Sequence, residues 1–198
     1  MMPRVSIAIM AFSLTVGFDT GSLAVPVPRD DRCPENLIVN GSFEEGPKVG
    51  SFLSLDVGST AIPGWVVTRG QIDLIGTHWK SADGVRSIDL HGSPGFGGIA
   101  QTFPTKNGRL YRVTFWLAGT PAALSGPGGV KRVAVRAAER GAAFSFDTTG
   151  KTGADMGWIP VAWEFVAIAD KTTLEFHTLE AVDPIHGPGL DNVSVFAN

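Results

Sequence analysis

Cysteine is nearly absent from this chain. Cys33 is the only one in 198 residues, so no internal disulfide can form. A domain of this size can bury an adequate core without one. Charge of one sign is lacking too. Sixteen Lys and Arg stand against nineteen Asp and Glu, for a formal net charge of −3. No Lys/Arg cluster interrupts that balance, which argues against nucleic acid or an anionic membrane surface as partner. After the first two dozen residues no apolar run approaches the roughly 20 residues of a membrane-spanning helix, and no stretch keeps a helical period. G-x-S-x-G and Walker signatures are missing. The four histidines are scattered, with no pair at metal-ligand spacing. His78 and His186 sit in Gly-rich loops, no internal repeat is visible, and no catalytic pair of carboxylates is singled out. The pattern shows no legible catalytic constellation and favours a binding domain, with a protein-interaction or matrix-structural module as the alternative and a polysaccharide-active enzyme as the third reading.

The N-terminus has a pattern of its own. Arg4 precedes an apolar run, Val5 to Phe18, and Ser22 and Ala24 supply a small-x-small exit. That is the form of a cleavable secretory signal over residues 1–24. A retained membrane anchor is the alternative, but the run is short and carries polar interruptions. Residues 25–35, VPVPRDDRCPE, read as an extended linker. Cys33 is then a free thiol in that linker or, alternatively, the site of an intermolecular bridge. The expected product is a secreted, extracellular domain over residues 36–198.

From Asn36 onward short apolar or alternating runs are separated by some of the chain's 25 glycines and 13 prolines. Candidate strands are 37–39, 65–67, 72–75, 86–90, 99–103, 109–118, 132–137, 143–146, 159–168, 172–178 and 190–196. Many short strands with frequent turns predict an all-β sandwich of two antiparallel sheets. Alternation assigns faces: Tyr111, Val113, Phe115 and Leu117 form one side of a strand, and Arg112, Thr114 and Trp116 the other. Ile88 and Leu90 likewise oppose Asp89 and His91, and Val133 and Val135 oppose Arg136. A period of two with one apolar set marks a strand with one face on the core.

The segments NLIVNGSFEEGP (36–47), IPGW (62–65), GQIDLIG (70–76), RSIDLHG (86–92), GGIAQTF (97–103), LYRVTFWLAG (110–119), FSFDTTG (144–150), MGW (156–158) and GLDNVSVF (189–196) occur in this order. Together they resemble the secreted "domain of unknown function 642" proteins of plant cell walls and their bacterial relatives, the choice-of-anchor C proteins. The resemblance implies a galactose-binding-like jelly roll of the kind carbohydrate-binding modules use. Its expected partner is a cell-wall polysaccharide or glycoconjugate, and an extracellular wall-modifying enzyme is the alternative. Plant members carry two such domains and bacterial members often end in a sorting anchor. Here there is one copy and the sequence stops at Asn198, so free secretion is expected.

The resemblance also implies that Glu44, after Phe43, and Asp191, in the last strand, help hold a structural calcium ion. Calcium takes six to eight hard oxygens; the other reading makes both carboxylates ordinary turn residues. For the ligand, the candidate residues are Trp116, Asp89, His91, Gln101, Arg112, Arg136, Glu175 and His177 on polar strand faces. A sugar stacks its CH side on an aromatic ring while a few placed polar groups take its hydroxyls. An ordinary solvated face is the other reading. Trp79, in the polar loop GTHWKSADG, is a rival platform, and Trp65, Trp158 and Trp163 are expected in the core.

Overall fold

The structure is a computed structural model and describes residues 35–124, 128–182 and 185–198. The signal segment, the linker up to Pro34 and Cys33 lie outside the described residues. Thirteen strands follow in chain order: β1 (Phe52–Asp56), β2 (Val66–Arg69), β3 (Gln71–Ile75), β4 (Ser87–Asp89), β5 (His91–Gly92), β6 (Gly95–Phe96), β7 (Gly98–Pro104), β8 (Leu110–Gly119), β9 (Val130–Ala137), β10 (Arg140–Asp147), β11 (Ile159–Val166), β12 (Lys171–Thr178) and β13 (Pro188–Ala197). A 3₁₀ turn at Ala122–Leu124 is the one helical element among the described residues. No helix there is long and apolar enough to cross a membrane.

The strands form a six-stranded sheet in the order β1-β3-β4-β13-β8-β11 and a five-stranded sheet in the order β10-β9-β12-β7-β2, with a small β5-β6 hairpin. All pairs are antiparallel. The alternation read from the sequence decides the packing. Val113, Phe115 and Leu117 of β8 and Leu190 and Val195 of β13 point inward from the larger sheet, and Val133, Val135, Leu174 and Phe176 meet them from the smaller one. Phe115 joins the layers, its ring 5.0 Å from Phe176 and 5.6 Å from Phe144 in edge-on contacts. Such tilted aromatic pairs add to what burial of their area already contributes. The expected jelly-roll β-sandwich is the observed fold.

Besides the β5-β6 hairpin, which no candidate strand covered, two elements differ from expectation. Leu37–Val39 is not a ladder strand. Leu37 donates to the Val195 carbonyl at 2.9 Å, but the Gln101 side chain takes over at Val39, accepting its N–H at 2.7 Å and donating to its carbonyl at 2.9 Å. Gln101 therefore points inward with Ile99 and Phe103 rather than lying on a polar face. The second difference is β1, which lies at the edge of the larger sheet and pairs only with β3.

Phe43 anchors the start of the domain. It is fully buried at a positive φ of 61°, with its ring 5.4 Å from that of Trp65. The Trp65 indole donates to the Asn40 carbonyl at 3.0 Å, so Trp65 is a core residue, as expected. Replacing Phe43 by Ala removes a full aromatic side chain and leaves a cavity, at a cost of about 3–5 kcal/mol. At roughly 2–4 °C per kcal/mol for a domain of this size, calorimetry should show the melting temperature about 10 °C lower. A shift under about 2 °C would contradict this role.

Candidate functional site

The residues proposed as one polar face are divided by the fold. Trp116, Arg112 and Asp89 lie on the outer side of the six-stranded sheet, while Arg136, Glu175 and His177 lie on the outer side of the five-stranded sheet. Alternation within one strand reports which residues share a side, but not which sheet that strand joins.

His91 is fully buried, with its Nε2 2.7 Å from Thr178 Oγ1 and its ring edge-on to Phe96. It is a core residue, not part of an open face. Trp79 is 4% exposed and donates through Nε1 to Ser87 Oγ at 2.8 Å. Its polar loop folds back over the outer side of the sheet and inserts the indole there, so Trp79 is not an exposed platform. Arg112 pairs with Glu164 at 3.5 Å with both side chains about half exposed, an arrangement that contributes little.

The loop that carries Trp79 is held by the two carboxylates expected to bind calcium. Asp191, fully buried beside the bulge between Asp191 and Ser194, accepts the N–H groups of Ala82 at 2.8 Å and Asp83 at 2.9 Å on Oδ2. Its Oδ1 accepts the Asn192 N–H at 2.7 Å. Glu44 Oε1 accepts the N–H groups of Val85 at 2.8 Å and Arg86 at 2.9 Å. Three of the four oxygens thus face N–H donors, whose positive ends would oppose a cation, and calcium takes six to eight oxygens. Among the described residues no group of three or more His, Cys, Asp or Glu is gathered for a metal ion. The donor set does not fit a calcium cage. The pair clamps residues 82–86 instead.

Beside that clamp is the cleft. Trp116 is the cross-strand neighbour of Asp191, and it is half-buried on the outer side of β8. Trp158, expected in the core, is also half-buried. Its indole donates to the Lys80 carbonyl at 2.9 Å, and its ring lies over Gly189, where a Cβ would come within 3.1 Å of it. Lys80 N–H in turn donates to the Gly153 carbonyl at 2.8 Å, so one residue's backbone ties both loops together. Together these residues line a cleft of about 320 Å³ between Trp116, Trp158, residues 80–82 and residues 154–157. The Lys80 ammonium and Asp155 carboxylate have no side-chain partner among the described residues. Two indoles with one free cation and one free anion can stack a flat ligand and hydrogen-bond its edge. Sequence reading missed Trp158, Lys80 and Asp155; the signal was that Trp158, like Trp79, lies in a polar loop between strands.

A second buried group lies farther along this sheet. Asp73 accepts hydroxyls from Ser54 at 2.6 Å and Ser93 at 2.8 Å, and Asp89 accepts the His91 N–H at 2.9 Å and the Thr120 hydroxyl at 2.7 Å. Burial pushes Asp89 up to about 8, with the nearby Asp73 charge adding to the effect, and burial raises Asp73 as well. Burial also lifts Asp191 to about 7, against the hydrogen bonds it accepts. With folded values above the unfolded 3.8, the folded state binds more protons, so stability falls as pH rises from about 4 to about 8.

Asp89→Asn keeps the N–H acceptor and can donate to Thr120 Oγ1, whose proton then turns to the Gly187 carbonyl 3.3 Å away. Its melting temperature should fall less between pH 5 and pH 8 than the parent's; an unchanged slope would contradict the assignment. Calorimetry in saturating calcium and in chelator should give the same melting temperature, since a ligand bound only by the folded state must raise it. A calcium-specific rise of several degrees would restore the metal reading.

Comparison with known proteins agrees with the fold. The carbohydrate-binding module TmCBM61, in complex with β-1,4-galactotriose, aligns with a TM-score of 0.55 at 16% identity, over 83% of this chain and 99% of that one. The arabinose-bound α-L-arabinofuranosidase MgGH51 aligns with a TM-score of 0.51 at 13% identity, over 82% of this chain and 26% of the enzyme. Halomucin from Haloquadratum walsbyi is 30% identical over 167 residues, which cover 81% of this chain and 2% of halomucin. The chain therefore spans about one-fiftieth of that relative's length. Residues 36–196 match the family described as "Protein of unknown function (DUF642)", and the chain belongs to that family.

Proposed function

We propose that this is a secreted, non-catalytic carbohydrate-binding domain that takes a neutral saccharide in the cleft between Trp116 and Trp158. The observation that carries the reading is the pair of half-buried indoles facing one 320 Å³ cleft with the uncommitted Lys80 and Asp155 at its edge. A sugar ring offers apolar CH faces to the indoles and hydroxyls to the charged groups. The fold shared with TmCBM61, which is complexed with β-1,4-galactotriose, supports the same class of ligand. The reading is of binding rather than turnover because, among the described residues, the cleft is lined by a single carboxylate side chain, Asp155, whereas glycoside hydrolysis ordinarily uses two. The N-terminal export pattern supports an extracellular location.

Retention on insoluble polysaccharides and a glycan array should identify a neutral saccharide ligand. Trp116→Ala and Trp158→Ala, each checked for an unchanged fold, should weaken its binding at least tenfold, equivalent to about 1.4 kcal/mol per variant. Binding unchanged in both variants, or no neutral saccharide bound at all, would contradict the proposal.

A further inference from the structure

The outer side of the five-stranded sheet is far from ordinary for a solvated β-surface. Strands are enriched in β-branched and aromatic side chains and depleted in Gly and Ala. Here β9 presents Arg132, Ala134 and Arg136 between the buried Val133 and Val135. The register places Ser145, Ala143 and Gly141 of β10 opposite them, and Glu175 of β12 faces both Arg136 and Ala100. Because the floor is so low, a depression of about 710 Å³ opens over it, lined by Ala134, Arg136, Arg140, Ala143, Thr173 and Glu175. The Arg136 side chain lies across Gly141, with its Cγ 3.2 Å from where a Cβ would stand.

The charges here run against those of the whole chain. Net charge is −3 overall, yet Arg69, Arg132 and Arg136 stand on this side with Glu175, Arg140 and Glu139 line its depression from the hairpin end, where Arg140 pairs with the inward Ala137, and Lys171 and Asp147 at its ends cancel. Glu175 is already taken: Oε1 accepts Arg69 Nη2 at 2.6 Å, Arg69 Nε at 3.2 Å and the Thr68 hydroxyl at 2.8 Å. Arg132, Arg136 and Arg140 make no ion pair or side-chain hydrogen bond among the described residues, leaving three guanidinium groups against Glu139. Between them His177 is 5% exposed, and its Nδ1 has no hydrogen-bond partner, lying 3.8 Å from Glu175 Oε2. Burial and the charges of Arg69 and Arg136 lower its affinity for a proton, with Glu175 opposing.

We propose that this face is a second binding site, for a polysaccharide carrying carboxylates, with Arg132, Arg136 and Arg140 receiving the carboxylates and Thr173 and Glu175 Oε2 the ring hydroxyls. Guanidinium groups match carboxylates in a two-point geometry. Arg132 and Arg136 stand four residues apart on one strand, about 13 Å at 3.3–3.4 Å per residue. A ligand that meets both is therefore a chain rather than a single sugar acid. The two carboxylates on the face can accept hydroxyl groups, which a sugar chain supplies at every ring and an acidic peptide does not. Among the described residues, the outward positions of β9, β10 and β12 hold no Trp, Tyr or Phe to stack nucleic-acid bases. The site uses none of the residues of the Trp116–Trp158 cleft and stands whether or not that cleft binds a neutral sugar.

Affinity electrophoresis of the intact domain in polygalacturonate at low salt tests it, with dextran sulfate, duplex DNA and neutral β-1,4-galactan in parallel gels. Polygalacturonate should retard the parent protein, and less so as salt is raised. Arg136→Ala/Arg140→Ala should weaken that binding at least tenfold with an unchanged melting temperature and unchanged behaviour in galactan. Arg112→Ala, which removes one positive charge from the other sheet, should leave it unaltered. No retardation by polygalacturonate, equal binding by the double variant, an equal loss in Arg112→Ala, or stronger retardation by dextran sulfate or DNA would each overturn the proposal.

Discussion

Much of the outer architecture of the larger sheet depends on one buried carboxylate. Asp191 sits at a bulge in the last strand and accepts two N–H groups from residues 82 and 83. Unpaired backbone amides in a covered loop are costly, and this side chain, with Glu44 at the next turn, satisfies four of them. The loop is thereby pinned over the sheet, Trp79 is inserted beneath it, and Lys80 is placed where its carbonyl orients Trp158. One wall of the cleft is therefore a consequence of the clamp, while Trp116 comes from the strand beside it. A domain whose one cysteine lies outside this region uses buried polar contacts to fix a loop that small secreted proteins often fix with disulfides.

The strands were legible because period-two alternation is a direct consequence of packing one side of a strand on a core. Tyr111, Val113, Phe115 and Leu117 could be placed inward from the sequence alone, and the structure agrees. Gln101 could not, because its amide serves as a surrogate strand partner for Val39 while occupying an inward position. Trp79 and Trp158 were misjudged for the same reason in opposite directions. A tryptophan in a Gly-rich polar loop carries no period, so its burial depends on where the loop lands. For these two that depends on Ser87 and Lys80, contacts 8 and 78 residues away in sequence. The site was therefore only half legible: Trp116 is on a strand, and the rest is on loops.

The family membership and the shared jelly roll explain why a stable sandwich exists here, but function resides in what is displayed on it. This sandwich displays two different surfaces. The six-stranded sheet is covered by loops that leave an aromatic cleft, whereas the five-stranded sheet is bare, floored with small residues and rimmed with arginine. Aromatic stacking and charge pairing respond differently to salt and to ligand charge, so the two surfaces suit ligands of different chemistry on one small domain.

The most direct measurement is a spectrum of the ¹⁵N-labelled indole N–H groups of the five tryptophans as neutral trisaccharides, β-1,4-galactotriose first, are added. The account predicts that the Trp116 and Trp158 signals move with the bound fraction while those of the buried Trp65 and Trp79 stay in place. A bound trisaccharide that leaves both Trp116 and Trp158 unmoved would contradict it.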